Sequence, residues 1–181
     1  LRYIEQVLPS LGEAGVQQVV LADLVPGHRV GRIEDDDTKH VKGDIRMSKF
    51  IAGAVRDRER PLRDDLVIPF GAEYLRLRVS ESSRIIRDAR RRYRRHNAAA
   101  RWVETEVVEA MAATSKREEI DLEALRESLR DIPEFRAAII RMWPVLSPGE
   151  VLHDLFGSRA LVRSAAQDVL KEHEWPLLVR E

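Results

Sequence analysis

The densest chemistry in this 181-residue chain is a run of guanidinium groups: Arg84, Arg87, Arg90, Arg91, Arg92, Arg94 and Arg95. A guanidinium is a permanently charged planar fork that matches phosphate geometry, and every phosphate it neutralises releases condensed counterions. From Arg76 to Arg101 ten arginines stand against Glu81 and Asp88. The next stretch, Trp102 to Glu134, reverses the sign, with ten acidic residues against Lys116, Arg117, Arg126 and Arg130. The first reading is a solvated helix face that pairs with the acidic helix after it, through Glu104, Glu106 or Glu109, as charge blocks on helices commonly do. The second is a surface that tracks phosphate, with Arg84, Arg87, Arg91, Arg94 and Arg95 in contact. Tyr93 alone interleaves aromatically with the run, which gives base stacking little support.

Other reactive groups are sparse. The four adjacent carboxylates Glu34, Asp35, Asp36 and Asp37 could hold a divalent cation, but they lack the alternating ligands and central Gly of a calcium loop. They read as a solvated acidic loop within residues 29–40. Of the histidines His28, His40, His96, His153 and His173, no two have the spacing of a zinc-protease helix. Glu150 and His153 would need partner carboxylates on other helices to build a di-metal site, so His153 reads as a surface or partly buried side chain. Leu11-Gly-Glu-Ala-Gly15 lacks the Lys and Ser/Thr of a triphosphate-binding loop. Ser10, Ser147 and Ser158 have no nucleophile-elbow context. No residue is therefore assigned to catalysis, a cofactor or a metal. The chain has no Cys, so neither a disulfide framework nor a thiolate zinc site, and a cytoplasmic origin fits. Hydrophobic residues make up 44% and the formal net charge is zero, so a real core is expected and global charge names no partner. No run approaches the roughly 20 apolar residues of a membrane span.

The elements that must position these groups are mostly helices. The expected fold is mainly α (α+β), with one β-hairpin. Residues 1–8 read as a helix and residues 16–21 as a short strand. Asp44 can cap a helix to about residue 59 that keeps Met47, Phe50, Ile51, Ala54 and Val55 on one face. Leu66, Ile68 and Phe70 alternate, Gly71-Ala72 carries the turn signal, and Leu75, Leu77 and Val79 continue the alternation. Pairing Phe70 with Glu73 and Ile68 with Leu75 puts the apolar residues on one face. Pro69 marks an edge strand. The arginine run is expected on a helix of residues 81–96, and Asn97 is expected to cap another over 98–113. Further helices are expected over 121–130, 132–143, 148–156 and 158–170. Ser147, Pro148 and Glu150 together have the form of a capping box. The helices 132–143 and 148–156 are expected to form a helical hairpin with Trp143 near its bend. After Leu170 two alternatives stand. The tail is loosely ordered and holds Trp175 for a contact made elsewhere, or Trp175, Leu177 and Leu178 fold back onto the core.

The chain opens inside an apolar helical pattern and stops abruptly after Trp175, so it is expected to be a piece of a larger protein. Leu1-Arg-Tyr-Ile-Glu-Gln-Val-Leu-Pro-Ser-Leu-Gly-Glu13, Asp23-Leu-Val-Pro-Gly27 and Met142-Trp-Pro-Val-Leu-Ser-Pro-Gly-Glu-Val-Leu-His-Asp-Leu-Phe156 resemble the actinobacterial UvrD-like superfamily 1 helicases. The closest resemblance is to the HelD-type RNA polymerase-associated ATPases. Gly71-Ala-Glu-Tyr-Leu-Arg-Leu-Arg78 and His96-Asn97 fall where that family has them. The resemblance implies that residues 1–25 are a remnant of the first RecA-like ATPase domain, its strand 16–21 left without the parental sheet. Residues 26–181 would be the mainly helical insertion in that domain. Both ATP-binding motifs would then lie outside this segment. ATP and Mg would belong to the parent protein, and the segment alone would be inactive. The implied partners are RNA polymerase, DNA in a second reading, and the remaining ATPase domains of the parent chain, with no membrane. Val20 stands where the family often has Thr, so the resemblance carries no direct DNA contact to that strand. The alternative is a free-standing helical nucleic-acid-binding or adaptor module with an Arg-rich helix.

Overall fold

The computed structural model describes residues 35–117 and 119–179. From Asp37 onward they belong to one compact unit. The expected helix 1–8, the strand 16–21 and the ATPase-domain remnant 1–25 lie outside the described residues. Within them the chain is mainly α-helical with one antiparallel two-stranded hairpin. In chain order the elements are α1 (Asp36–Gly43), α2 (Arg46–Arg56), β1 (Leu66–Phe70), β2 (Glu73–Leu77) and α3 (Val79–Arg92). Then come α4 (Ala100–Ala112), α5 (Leu122–Arg130), α6 (Pro133–Met142), α7 (Pro148–Phe156) and α8 (Arg159–Ala166). Short 3-10 turns cover His96–Ala99 and Glu172–Leu178. No helix among the described residues is long and apolar enough to cross a membrane.

The hairpin has the register its alternation dictates, with Phe70 opposite Glu73, Ile68 opposite Leu75 and Leu66 opposite Leu77. Because strand side chains alternate, that register buries Ile68, Leu75 and Leu77 and leaves Val67, Pro69, Tyr74 and Arg76 exposed. Gly71 takes φ +64° at the first turn position. A Cβ there would also stand 3.0 Å from Arg117 Nη2, in a guanidinium that lies over the Phe70 ring. Gly71→Ala should therefore destabilise the fold by about 1 kcal/mol, measured by urea unfolding. A variant as stable as the parent would contradict the turn.

Two apolar clusters organise the unit. In the first, the hairpin packs with α3, α4, α5 and α6. Ser82, Ile85, Ile86 and Ala89 recur at helical spacing and form the buried stripe of α3, facing Val103, Val107 and Met111 of α4. Asp121, expected as the first residue of a helix, instead caps α5 by accepting from the N–H groups of Glu123 and Ala124. In the second cluster, α1 and α2 pack with α7, α8 and the tail through Val41, Phe50, Leu155, Val162 and Leu178. Gly53 lets α2 approach α8 closely, since a Cβ there would lie 3.1 Å from the Ala165 carbonyl oxygen.

The tail is not left loose with Trp175 free for an outside contact, as first expected; it takes the alternative course and folds back onto the core. Leu178 is buried, Trp175 and Leu177 pack half-buried on the second cluster, and Trp175 Nε1 donates to the Leu170 carbonyl at 3.2 Å. Glu174 accepts from Arg46 Nη1 at 2.9 Å and Nη2 at 2.8 Å, a bidentate pair across 128 residues. That pair, and then the Lys171 N–H, hold the Glu174 carboxyl at about 2, against an ordinary 4.5. A depressed acid contributes stability that is complete above its unfolded value and is lost as pH falls. The tail contact should therefore weaken between about pH 4.5 and 2. Glu174→Gln should remove that part of the acid transition, read by Trp fluorescence over pH. An unchanged profile would contradict the assignment.

Several expected elements differ. Asp36 and Asp37 open α1 instead of lying in an acidic loop, because carboxylates suit the positive end of a helix; Glu34 lies outside the described residues. Helix α2 begins at Arg46, two residues after its expected cap, although Asp44 still accepts from the Arg46 N–H. The arginine helix stops at Arg92, and Arg94 and Arg95 lie in a bend. Tyr93 turns extended, φ −118° and ψ 128°, and packs on Trp102. Asn97 caps no helix; it sits inside a 3-10 turn. Ser147 precedes Pro148 at the start of α7, but its hydroxyl makes no capping bond. Helices α6 and α7 do not form a hairpin. Helix α6 packs on α5 and β1, whereas α7 packs on α8 and α2. Trp143 is buried as expected, but in the first cluster, where it ties the connecting segment to residues 96–97 and sends α7 to the second. Helix α8 ends at Ala166, short of Leu170, and Asp168 follows at φ +64°.

Candidate nucleic-acid interface

One face of α3 is committed to the core, and the arginines divide according to what lies beside the rest. Arg90 is exposed but already engaged. Its Nε donates to Glu59 Oε2 at 2.6 Å, and Nη2 donates to the carbonyls of Arg56 and Glu59. Arg92 lies over the Trp102 ring, 5.6 Å from its centroid. Arg84 is 3.4 Å from Asp88 and 3.8 Å from Glu106. Arg87, Arg91, Arg94 and Arg95 are exposed and have no acidic partner among the described residues. Arg84, Arg87 and Arg91 fall about one per turn on one side of α3, and Arg94 and Arg95 extend the edge past its end.

The expected pairing of this run with the acidic helix is largely absent. Glu104 is engaged by Arg130 of α5, whose Nε and Nη2 donate to its two oxygens at 2.6 and 2.7 Å. Those hydrogen bonds outweigh partial burial and hold the Glu104 carboxyl below the usual carboxylate range. Glu106 approaches only Arg84. Glu104 is thus taken by α5 and Glu106 is reached by Arg84, while Arg87, Arg91, Arg94 and Arg95 keep their charge without an acidic partner among the described residues. Tyr93 and Trp102 pack against each other with centroids 5.9 Å apart at a 46° tilt, so the aromatic rings beside the edge already contact each other.

Behind the edge, a polar hub fixes its C-terminal end. His96 places Nδ1 2.9 Å from Glu59 Oε1 and Nε2 2.7 Å from the Pro144 carbonyl oxygen. Both partners accept, so a neutral ring can satisfy only one of them. The His96 ring stacks on Trp143 with centroids 4.6 Å apart, and Trp143 Nε1 donates to the His96 carbonyl at 2.9 Å. Burial would raise the Glu59 pKa, but hydrogen bonds from His96 and Arg90 prevail and hold it below the usual carboxylate range. Asn97 Nδ2 donates to the Leu146 carbonyl at 2.8 Å, and its Oδ1 accepts from the Leu146 N–H at 2.9 Å. Sequence reading missed Glu59 and mistook Asn97 for a cap, because their partners lie 31 to 49 residues away.

The remaining sequence candidates fall elsewhere. Trp175 belongs to the second apolar cluster, and His153 is exposed on α7. No group of three or more His, Asp or Glu side chains gathers at metal-binding range among the described residues. No protein-family model matches the chain, and no curated protein matches it.

Proposed function

We propose that this chain is a non-catalytic helical module that works by contact. In this reading it is the insertion of a UvrD/HelD-like ATPase, docks on RNA polymerase, and lays its arginine edge along nucleic-acid phosphate. The carrying observation is that Arg87, Arg91, Arg94 and Arg95 are exposed without acidic partners among the described residues. Two unneutralised guanidinium forks one turn apart on α3, continued by two more in the bend after it, suit a polyanionic backbone. The neighbouring rings are packed together, so the contact reads phosphate and not base sequence. The polymerase part rests on the resemblance of residues 1–13, 23–27 and 142–156. ATP and Mg would be supplied by the rest of the parent protein. The test is retention of the purified chain on immobilised RNA polymerase treated with nuclease. Specific retention is the expected result, and free passage of the chain would contradict the polymerase reading.

A further inference from the structure

The segment joining α6 to α7 is clamped from both sides. Its Pro144 carbonyl lies 2.7 Å from His96 Nε2, and both backbone polar groups of Leu146 are bound by the Asn97 amide. Between these clamps Val145 stands 74% exposed, and Ile140 on α6 is 64% exposed. A lone exposed aliphatic residue is ordinary. Here two side chains from the 3-10 turn at His96–Ala99 fix the backbone on either side of one, over a buried Trp143. An apolar contact held in place in advance loses little conformational freedom on binding.

Hollows flank these residues on both sides. A groove of about 760 Å³ borders Val145 and is lined by Ile139, Trp143 and Arg101. A second, of about 420 Å³, lies beyond Ile140 and Pro144 and is lined by Arg60, Arg141 and Leu161. The acids of the two rims are engaged locally: Glu104 by Arg130, Glu123 by Arg126, Asp154 by Arg58, and Asp57 by the Ser164 hydroxyl. Arg60, Arg101 and Arg141 have no carboxylate partner among the described residues. The apolar pair is thus bordered by an excess of positive charge, six arginines against four carboxylates, although Arg101 stands near enough to Glu104 to help lower its pKa and Asp57 keeps its negative charge. A second copy of this face would set like charges together. A protein segment carrying aliphatic or aromatic side chains flanked by carboxylates would complement both features.

We infer that Ile140 and Val145, with the cationic rims beside them, form a docking surface for such an acidic-flanked apolar protein segment. This is the surface by which the module holds the polymerase, and the α3 arginine edge is left to nucleic acid. The inference rests on the polymerase reading above.

The experiment measures affinity of the full 181-residue chain for immobilised, nuclease-treated RNA polymerase. Ile140→Ser with Val145→Ser should weaken binding about tenfold or more without lowering the melting temperature, because both side chains are exposed. Arg101→Gln with Arg141→Gln should weaken it about threefold, with the difference vanishing at high salt. Arg91→Gln, Arg94→Gln and Arg95→Gln together should leave it unchanged. If the wild-type chain is retained and the Ile140/Val145 variant binds as tightly, the docking surface is wrong while the polymerase reading stands. If the wild-type chain is not retained, both fall. Concentration-dependent dimerisation in sedimentation, abolished by the same variant, would assign the surface to a second copy and overturn the inference.

Discussion

Replacing His96 by alanine should destabilise the fold by about 3 kcal/mol, the largest single effect expected here. The substitution leaves the buried Glu59 carboxylate without one of its side-chain partners, frees the Pro144 carbonyl, and strips the stacked ring from Trp143. These losses fall where the two apolar clusters meet through the segments 57–60 and 143–146. Equilibrium urea unfolding measures the effect. A double variant, His96→Ala with Glu59→Leu, should be less destabilised than the two single changes summed, because the second removes the carboxylate that the first leaves with Arg90 as its remaining side-chain partner. A His96→Ala cost below about 1 kcal/mol would mean that the hub contributes little and that packing alone joins the clusters.

Replacing Arg91, Arg94 and Arg95 together by glutamine should lower affinity for duplex DNA about a hundredfold at 0.1 M salt, evenly across sequences. The fold should be almost unaffected, since none of the three makes an ion pair among the described residues. Arg90→Gln provides the contrast. It should cost stability, because Arg90 binds Glu59 and two backbone carbonyls, and it should change DNA affinity little. Equal DNA affinity for wild type and the triple variant, compared by fluorescence anisotropy, would return the arginine run to a solvated face.

What was legible in the sequence is what local period and local turn chemistry decide. The hairpin register follows from alternation around Gly71, and helical spacing places Ile85, Ile86 and Ala89 on the buried stripe of α3, although it also put Tyr93 there, which the structure turns out of the helix. The span of α7 was equally readable. Long-range partners were not. Nothing near Arg92 says that the chain must leave the helix so that Tyr93 reaches Trp102 and His96 reaches Glu59. Nothing near Ser147 says that its capping bond goes unmade. The arginine edge shows the same division. Its composition was plain, but whether it is neutralised depended on Arg130 of α5 taking Glu104, a contact spanning 26 residues.

The claim that this module meets polyanionic backbone is tested most directly by the salt dependence of its binding to a duplex of random sequence. Each phosphate neutralised contributes about −0.9 to the slope of log K against log salt, so four arginines in contact predict a slope of about −3.6. The triple variant should retain about −0.9. A wild-type slope near zero, or no binding even at low salt, would contradict the account.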